Sequence, residues 1–184
     1  MSHKSAVVAA RVARFGGGRL DPRYLGYFDS FNHQRFHEAH DVLEDLWLLD
    51  RRGPNGDFFK GLIQVAGAFV LLQKGRLRAA DAVFQLAGSK LRQYPQHHES
   101  ADLKAVEALI TSWRQALKQT AYTANPLTST APPFIASPIM KNAKKKSADI
   151  KPVEIGEYIA DFPEGTPTTH TRRTPSLCTP LSPL

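Results

Sequence analysis

Cysteine is nearly absent from this chain: Cys178 is the only one in 184 residues, so no disulfide can form within it. A lone thiol fits a reducing compartment, and the expected location is the cytoplasm. Long apolar runs are missing too. Nothing approaches the ~18 consecutive apolar residues that a membrane span requires, so no membrane association is expected. Ala6-Val7-Val8-Ala9-Ala10 is too short for the apolar region of a secretory signal and is broken off by Arg11 and Arg14. The short signatures of common chemistries are lacking as well: there is no phosphate loop, no dinucleotide fingerprint and no nucleophile elbow. His37-Glu38-Ala39-His40 does not have the H-E-x-x-H spacing of a zinc protease. Residues 33–74 contain no Ser, Thr or Cys, so a hydroxyl or thiol nucleophile is lacking there, and a metal-bound or base-activated water is the expected one if chemistry occurs.

Charge is not missing but is thinly spread. The net charge is +7, and residues 1–122 carry 17 Lys and Arg against 12 Asp and Glu. The only dense basic run is Lys141-Asn142-Ala143-Lys144-Lys145-Lys146. It offers a weak, salt-dependent route to nucleic acid, while the scattered charges elsewhere read as solvated surface.

What the chain does have is a helix rich in ionisable groups. Between Phe31 and Trp47 lie three histidines and four carboxylates. Asn32 is placed to cap this helix, because a short amide can accept from the free N–H groups of a first turn. At about 100° per residue, Phe36, Ala39, Val42, Leu43 and Leu46 share an apolar face, with Trp47 at its edge. His33, His37, His40 and Glu44 form a stripe along the border of that face, while Glu38, Asp41 and Asp45 fall on the wetter side. Two readings of the stripe compete. In one, His40 and Glu44 are a hydrogen-bonded pair at the rim of the core. In the other, His37, His40 and Glu44 hold a divalent metal such as zinc. Zinc needs three or four convergent ligands, and the next helix offers only Gln64 and Lys60, so the ligand count favours the pair and no cofactor is expected.

The rest of the chain is organised around this helix. Residues 1–20, ending in three glycines, read as a flexible leader. Asp21-Pro22 opens a short helix with Tyr24, Phe28 and Phe31 on its apolar side. After a turn at 51–56, a strongly apolar helix runs from Asp57 to Lys74. It carries two adjoining apolar stripes and a strip of small residues, Gly61, Gly67 and Ala68, interrupted by Gln64. An apolar girdle that wide marks the central helix of a bundle. A buried Gln64 needs partners, and His40 or Glu44 are placed to supply them. Gly75 ends the helix. A fourth helix over 77–94 turns Ala80, Phe84, Ala87 and Leu91 inward. His97-His98 read as a surface loop. A fifth helix over 100–121 repeats Leu103, Val106, Ile110, Trp113 and Leu117 at seam spacing. Beyond residue 122 the composition changes: ten of the 13 prolines lie there, and residues 123–184 read as a mostly disordered tail. Two apolar islands, Pro132–Ile135 and Val153–Ile159, are its candidates for docking or strand pairing.

Residues 21–94 resemble the bacterial family catalogued as domain of unknown function 309. The resemblance rests on Phe31-Asn32, on Glu38-Ala39-His40-Asp41-Val42-Leu43-Glu44 closed by Trp47, and on Gly61-Leu62-Ile63-Gln64-Val65-Ala66. Asp41 stands where the family usually has glutamate, His37 where it has an aromatic, and Ala79 where it tends to have glycine. The resemblance implies a compact all-helical domain over 21–122 and directs attention to Glu38, His40, Glu44, Trp47, Gly61 and Gln64, without naming an activity. The expected fold is an all-α bundle of about five helices. The expected role is a non-enzymatic module that binds a protein or small ligand. The rivals are a metal-assisted hydrolase using His40 and Glu44, with Glu38 as a further candidate and Trp47 and Phe58 lining its pocket, and weak nucleic-acid binding through Lys141–Lys146.

Overall fold

In the computed structural model, residues 3–138 are described; the basic run at 141–146, the island at 153–159 and the rest of the expected tail lie outside them. Among the described residues six α-helices carry the fold: α1 (His3–Val12), α2 (Pro22–Asn32), α3 (Phe36–Trp47), α4 (Gly56–Gln73), α5 (Leu77–Leu91) and α6 (Leu103–Gln119). No helix among the described residues is long and apolar enough to cross a membrane. The all-α expectation holds, and the inward stripes proposed for α3, α5 and α6 are buried residue for residue, except Leu46, which is half-buried.

Local chemistry explains most of the boundaries. Asp21 caps α2 by accepting from the Arg23 N–H at 2.8 Å, with proline at the first helical position. Gly75 leaves α4 in the left-handed region, at φ 68°, where a side chain would be strained. Consecutive helices from α2 to α6 pack on one another, and α4 is covered on two sides, by α3 and α5. Phe69 of α4 is the aromatic hub. Its ring stacks on Phe36 of α3 at 4.9 Å and meets Phe84 of α5 and Trp113 of α6 edge-on at 5.1 and 4.8 Å. Tyr27 is fully buried, and its hydroxyl donates to the Leu62 carbonyl at 2.8 Å, which ties α2 to α4. Burial pushes that phenol far above its ordinary range, so it remains a neutral donor.

Four expectations need correction. The leader is not free chain. Residues 3–12 form α1, and Val8 and Val12 bury themselves against Val42 of α3. Gly26 of α2 makes the seat: a Cβ there would lie 2.6 Å from Val12 Cγ1. Arg14 and Arg11 add ion pairs to Asp29 and Glu38. A two-valine stripe is too short to stand out as periodicity, which is why the helix is hard to read locally. Asn32 does not cap the motif helix: it is the last residue of α2, and α3 starts after a turn in which Gln34 has φ 62°.

His97-His98 are not a loop. They pair antiparallel with Ala101-Asp102 as a two-residue hairpin, turned through Glu99 and Ser100, both at positive φ. His98 is held by Asn55 Oδ1 at 2.7 Å and packs on Phe58 and Tyr94. Asp102 then caps α6 through the Ala105 N–H. Finally, the domain does not stop at residue 122. The Asn125 amide donates to the Leu72 carbonyl at 2.7 Å, beside the Gly75 N–H that also donates there at 3.0 Å, and Ile135 is 3% exposed within the main core.

Candidate functional site

The two motif helices meet in a polar seam whose register can be worked out. His40 of α3 lies against Gly67 of α4, its Cδ2 3.7 Å from where a Cβ would be. Seven residues later, Trp47 lies under the Lys60 ammonium, 4.2 Å from the ring centroid. As α3 ascends from 40 to 47, α4 descends from 67 to 60, so the helices are antiparallel and Glu44 is level with Ile63 and Gln64. His40, Glu44 and Trp47 therefore line one side of the seam, and Gly67, Gln64 and Lys60 the other. At Gly67 a Cβ would come into ordinary van der Waals contact with the imidazole edge, so the two helices meet closely here. Arg51 adds a second cation at 5.8 Å from Trp47, so the indole is flanked by positive charge.

The ligand-type atoms of His40, Asp41 and Glu44 lie within 4.8 Å of one another, all three side chains half-buried. Asp41 was expected on the wetter side. Its position beside His40 brings Oδ1 to 3.3 Å from His40 Nδ1, while Oδ2 lies 3.4 Å from His37 Nδ1. A single residue step turns the helix by only ~100°, and a flexible carboxylate covers that arc. The site is thus a triad of His40, Asp41 and Glu44, in which Asp41 also reaches His37. His37 is at its margin, its side chain 71% exposed.

Gln64 is the least satisfied group in this seam. Its Oε1 is buried and accepts from no protein donor. The expected hydrogen bond from His40 or Glu44 to this oxygen is not made. The reason is chemical: a carboxylate offers no proton, and the Nδ1 of His40 is turned to Asp41.

The other candidates separate from this cluster. His33 contacts the Asp29 carbonyl from the surface. Glu38 points away, bonded to Arg35 Nε at 3.0 Å and paired with Arg11. Gly61 serves a different interface: a Cβ there would lie 2.7 Å from Leu91 Cγ, so its role is to let α5 approach α4. Phe58 is fully buried among Tyr24, Phe59, Tyr94 and His98, so its ring packs the core. A cleft of about 410 Å³ between α1 and the start of α2 contains Asp21, Arg23 and Asp45, but the charges there engage one another.

The segment that builds this seam is also the one that matches a known family. Residues 24–83 match the family described as Domain of unknown function (DUF309). The matched DUF309 stretch runs from α2 to the middle of α5 and contains both walls of the seam. It bears out the resemblance drawn from the Glu38–Trp47 and Gly61–Ala66 motifs. No curated protein and no solved structure was found to match the chain.

One polar network beyond the DUF309 seam escaped the sequence reading. Asp81 of α5, 9% exposed, accepts from Arg114 Nε of α6 at 2.6 Å and from the Tyr122 hydroxyl at 3.0 Å. Arg114 also reaches Gln85, and Arg78 covers the Tyr122 ring. Burial by itself would raise the Asp81 carboxyl, but the hydrogen bonds from Arg114 and Tyr122 outweigh it and hold the group below its ordinary range. The available signal was a carboxylate beside the inward residues Ala80 and Phe84, a position that demands a partner.

Proposed function

We propose that this chain is a cytoplasmic, non-enzymatic binding module whose contact site is the α3–α4 seam, and that its ligand or protein partner supplies a cation or hydrogen-bond donor to Asp41, Glu44 and Gln64. One observation carries the reading. Gln64 Oε1 is a buried acceptor without a protein donor, on the α4 wall of the seam that the helix register sets level with Glu44 of the triad. A buried acceptor left unmade costs ~1–3 kcal/mol, which an architectural network would be arranged to avoid and a binding site recovers on occupation. The seam supplies no hydroxyl or thiol nucleophile, which favours recognition over acyl-transfer catalysis.

The test is a titration of isotopically labelled full-length chain with three donors of different kind: zinc chloride, manganese chloride and N-acetyl-arginine amide. Shifts or relaxation effects centred on His40, Asp41, Glu44, Gln64 and the Trp47 indole, lost in Glu44→Ala, are the expected result. If none of the three donors perturbs that set, the seam is not the contact site.

A second reading follows from the triad itself. Three ligand-type atoms from positions i, i+1 and i+4 of one helix could hold a divalent ion, with Gln64 as a further oxygen donor and water as the nucleophile of a metal-assisted hydrolase. Elemental analysis of the purified chain would find near-stoichiometric metal that His40→Ala removes; metal-free protein that takes up none on dialysis against zinc or manganese rules this reading out.

A further inference from the structure

Residues 131–137, which belong to no helix or strand, cross the corner where α2 turns into α3. Within them, over Pro133-Phe134-Ile135, burial alternates: Pro133 and Ile135 are buried, while Phe134 is 56% exposed. Period-two burial is the habit of a strand, yet no strand among the described residues lies alongside. Side-chain amides take the place of the missing neighbour. Asn32 Nδ2 donates to the Ile135 carbonyl at 2.9 Å, and the Ile135 N–H donates back to Asn32 Oδ1 at 2.9 Å. One residue thus exchanges both bonds with a single asparagine, as paired residues do in an antiparallel ladder. Gln34 Nε2 adds a third bond, to the Pro133 carbonyl at 3.3 Å, and its own carbonyl accepts from Gln73 of α4 at 3.3 Å.

All three contacts read the backbone and are indifferent to side-chain identity. Selection falls on the two inward positions. A proline can be buried at the first because it has no N–H to leave without a partner. At the second, a branched apolar side chain reaches the main core, where Ile135 is 3% exposed. The intervening position is free, since Phe134 projects to solvent.

We propose that the α2–α3 corner is a peptide-binding groove, that it takes an extended Pro-x-Ile segment of a partner protein through Asn32 and Gln34, and that residues 133–135 fill it in cis as a competing ligand. The cis segment defines the partner's chemistry: two inward residues of this kind and an exposed backbone edge are sufficient for the contacts made here. This site is separate from the α3–α4 seam, and neither proposal depends on the other.

The probe is a fluorescent peptide with the sequence of residues 130–138, titrated against the full-length chain and read by anisotropy. Ile135→Asp expels the cis segment, so this variant should bind the peptide at least tenfold more tightly than the parent chain. Adding Asn32→Ala to that variant should cost tenfold or more, and a peptide carrying Asp in place of Ile should not bind. A folded Ile135→Asp chain that ignores the peptide, or binding indifferent to Asn32→Ala, overturns the proposal. Hydrogen exchange on the unmodified chain gives an independent reading. The Ile135 amide should be protected, and excess unlabelled peptide should remove that protection. An amide that exchanges freely from the start, or one whose protection the peptide leaves unchanged, also overturns it.

Discussion

Replacing Gln64 with methionine should make the protein more stable while disabling its binding site. The side chain enters the α3–α4 seam opposite Glu44, and its Oε1 is shut off from solvent without a donor. Removing a buried acceptor in that state relieves a penalty of ~1–3 kcal/mol, and methionine keeps nearly the same length and flexibility, so little packing is lost. Allowing for imperfect fit, the net gain should be about 1–2 kcal/mol. For a domain of this size that corresponds to a rise in Tm of roughly 3–8 °C. Urea unfolding followed by circular dichroism checks it, with an unchanged m-value showing that the gain belongs to the native state. The same variant should lose the response to donors at His40, Asp41 and Glu44. Destabilisation by 1 kcal/mol or more would refute the reasoning, because it would mean that Oε1 is satisfied in solution and that the seam is a closed structural network.

Gly61→Ala should destabilise by about 1–3 kcal/mol, since the new methyl group meets fully buried Leu91 and forces α4 and α5 apart; thermal melts measure it, and an unaltered Tm would show that the close approach is dispensable. Acid should loosen the α5–α6 contact. The Asp81 carboxyl is held below its usual value in the folded state, so its contribution is complete above the ordinary carboxylate range and is lost as pH falls through the lowered value. Asp81→Asn should therefore flatten the low-pH limb of the stability curve, and an unchanged limb would remove Asp81 from the account. Val12→Asp should release α1, exposing its amides to hydrogen exchange while those of α4 stay protected; equal protection in both would show that α1 is held by something other than its valines. Asp102→Ala removes the cap of α6 and should cost ~1 kcal/mol by urea unfolding, with no change expected in peptide or metal binding.

The polar groups were legible only in part. His40, Glu44 and Gln64 could be brought to one helix–helix boundary from spacing and apolar patterning alone, because both helices advertise their inward faces. Asp41 could not be assigned to the cluster, since periodicity locates a Cβ and says nothing of where a carboxylate swings. Gly61 and Gly67 looked equivalent as small residues in one strip, but their neighbours separate them, Leu91 in one case and His40 in the other. Glu38 was drawn away by Arg11, on a helix that the local pattern does not announce.

The chain's own pattern was enough to determine that it is helical, where five of its helices lie and which residues they bury, because an apolar stripe at 3.6-residue spacing is a local consequence of keeping one face out of water. Only the tertiary structure decided the fate of Asn32, which could have capped a helix and instead holds the backbone of Ile135, 103 residues away. It also decided that Val8 and Val12 have a seat and that Asp81 has Arg114. An amide or a carboxylate is satisfied by whichever donor the fold delivers, and no rule of spacing reports which distant segment that will be.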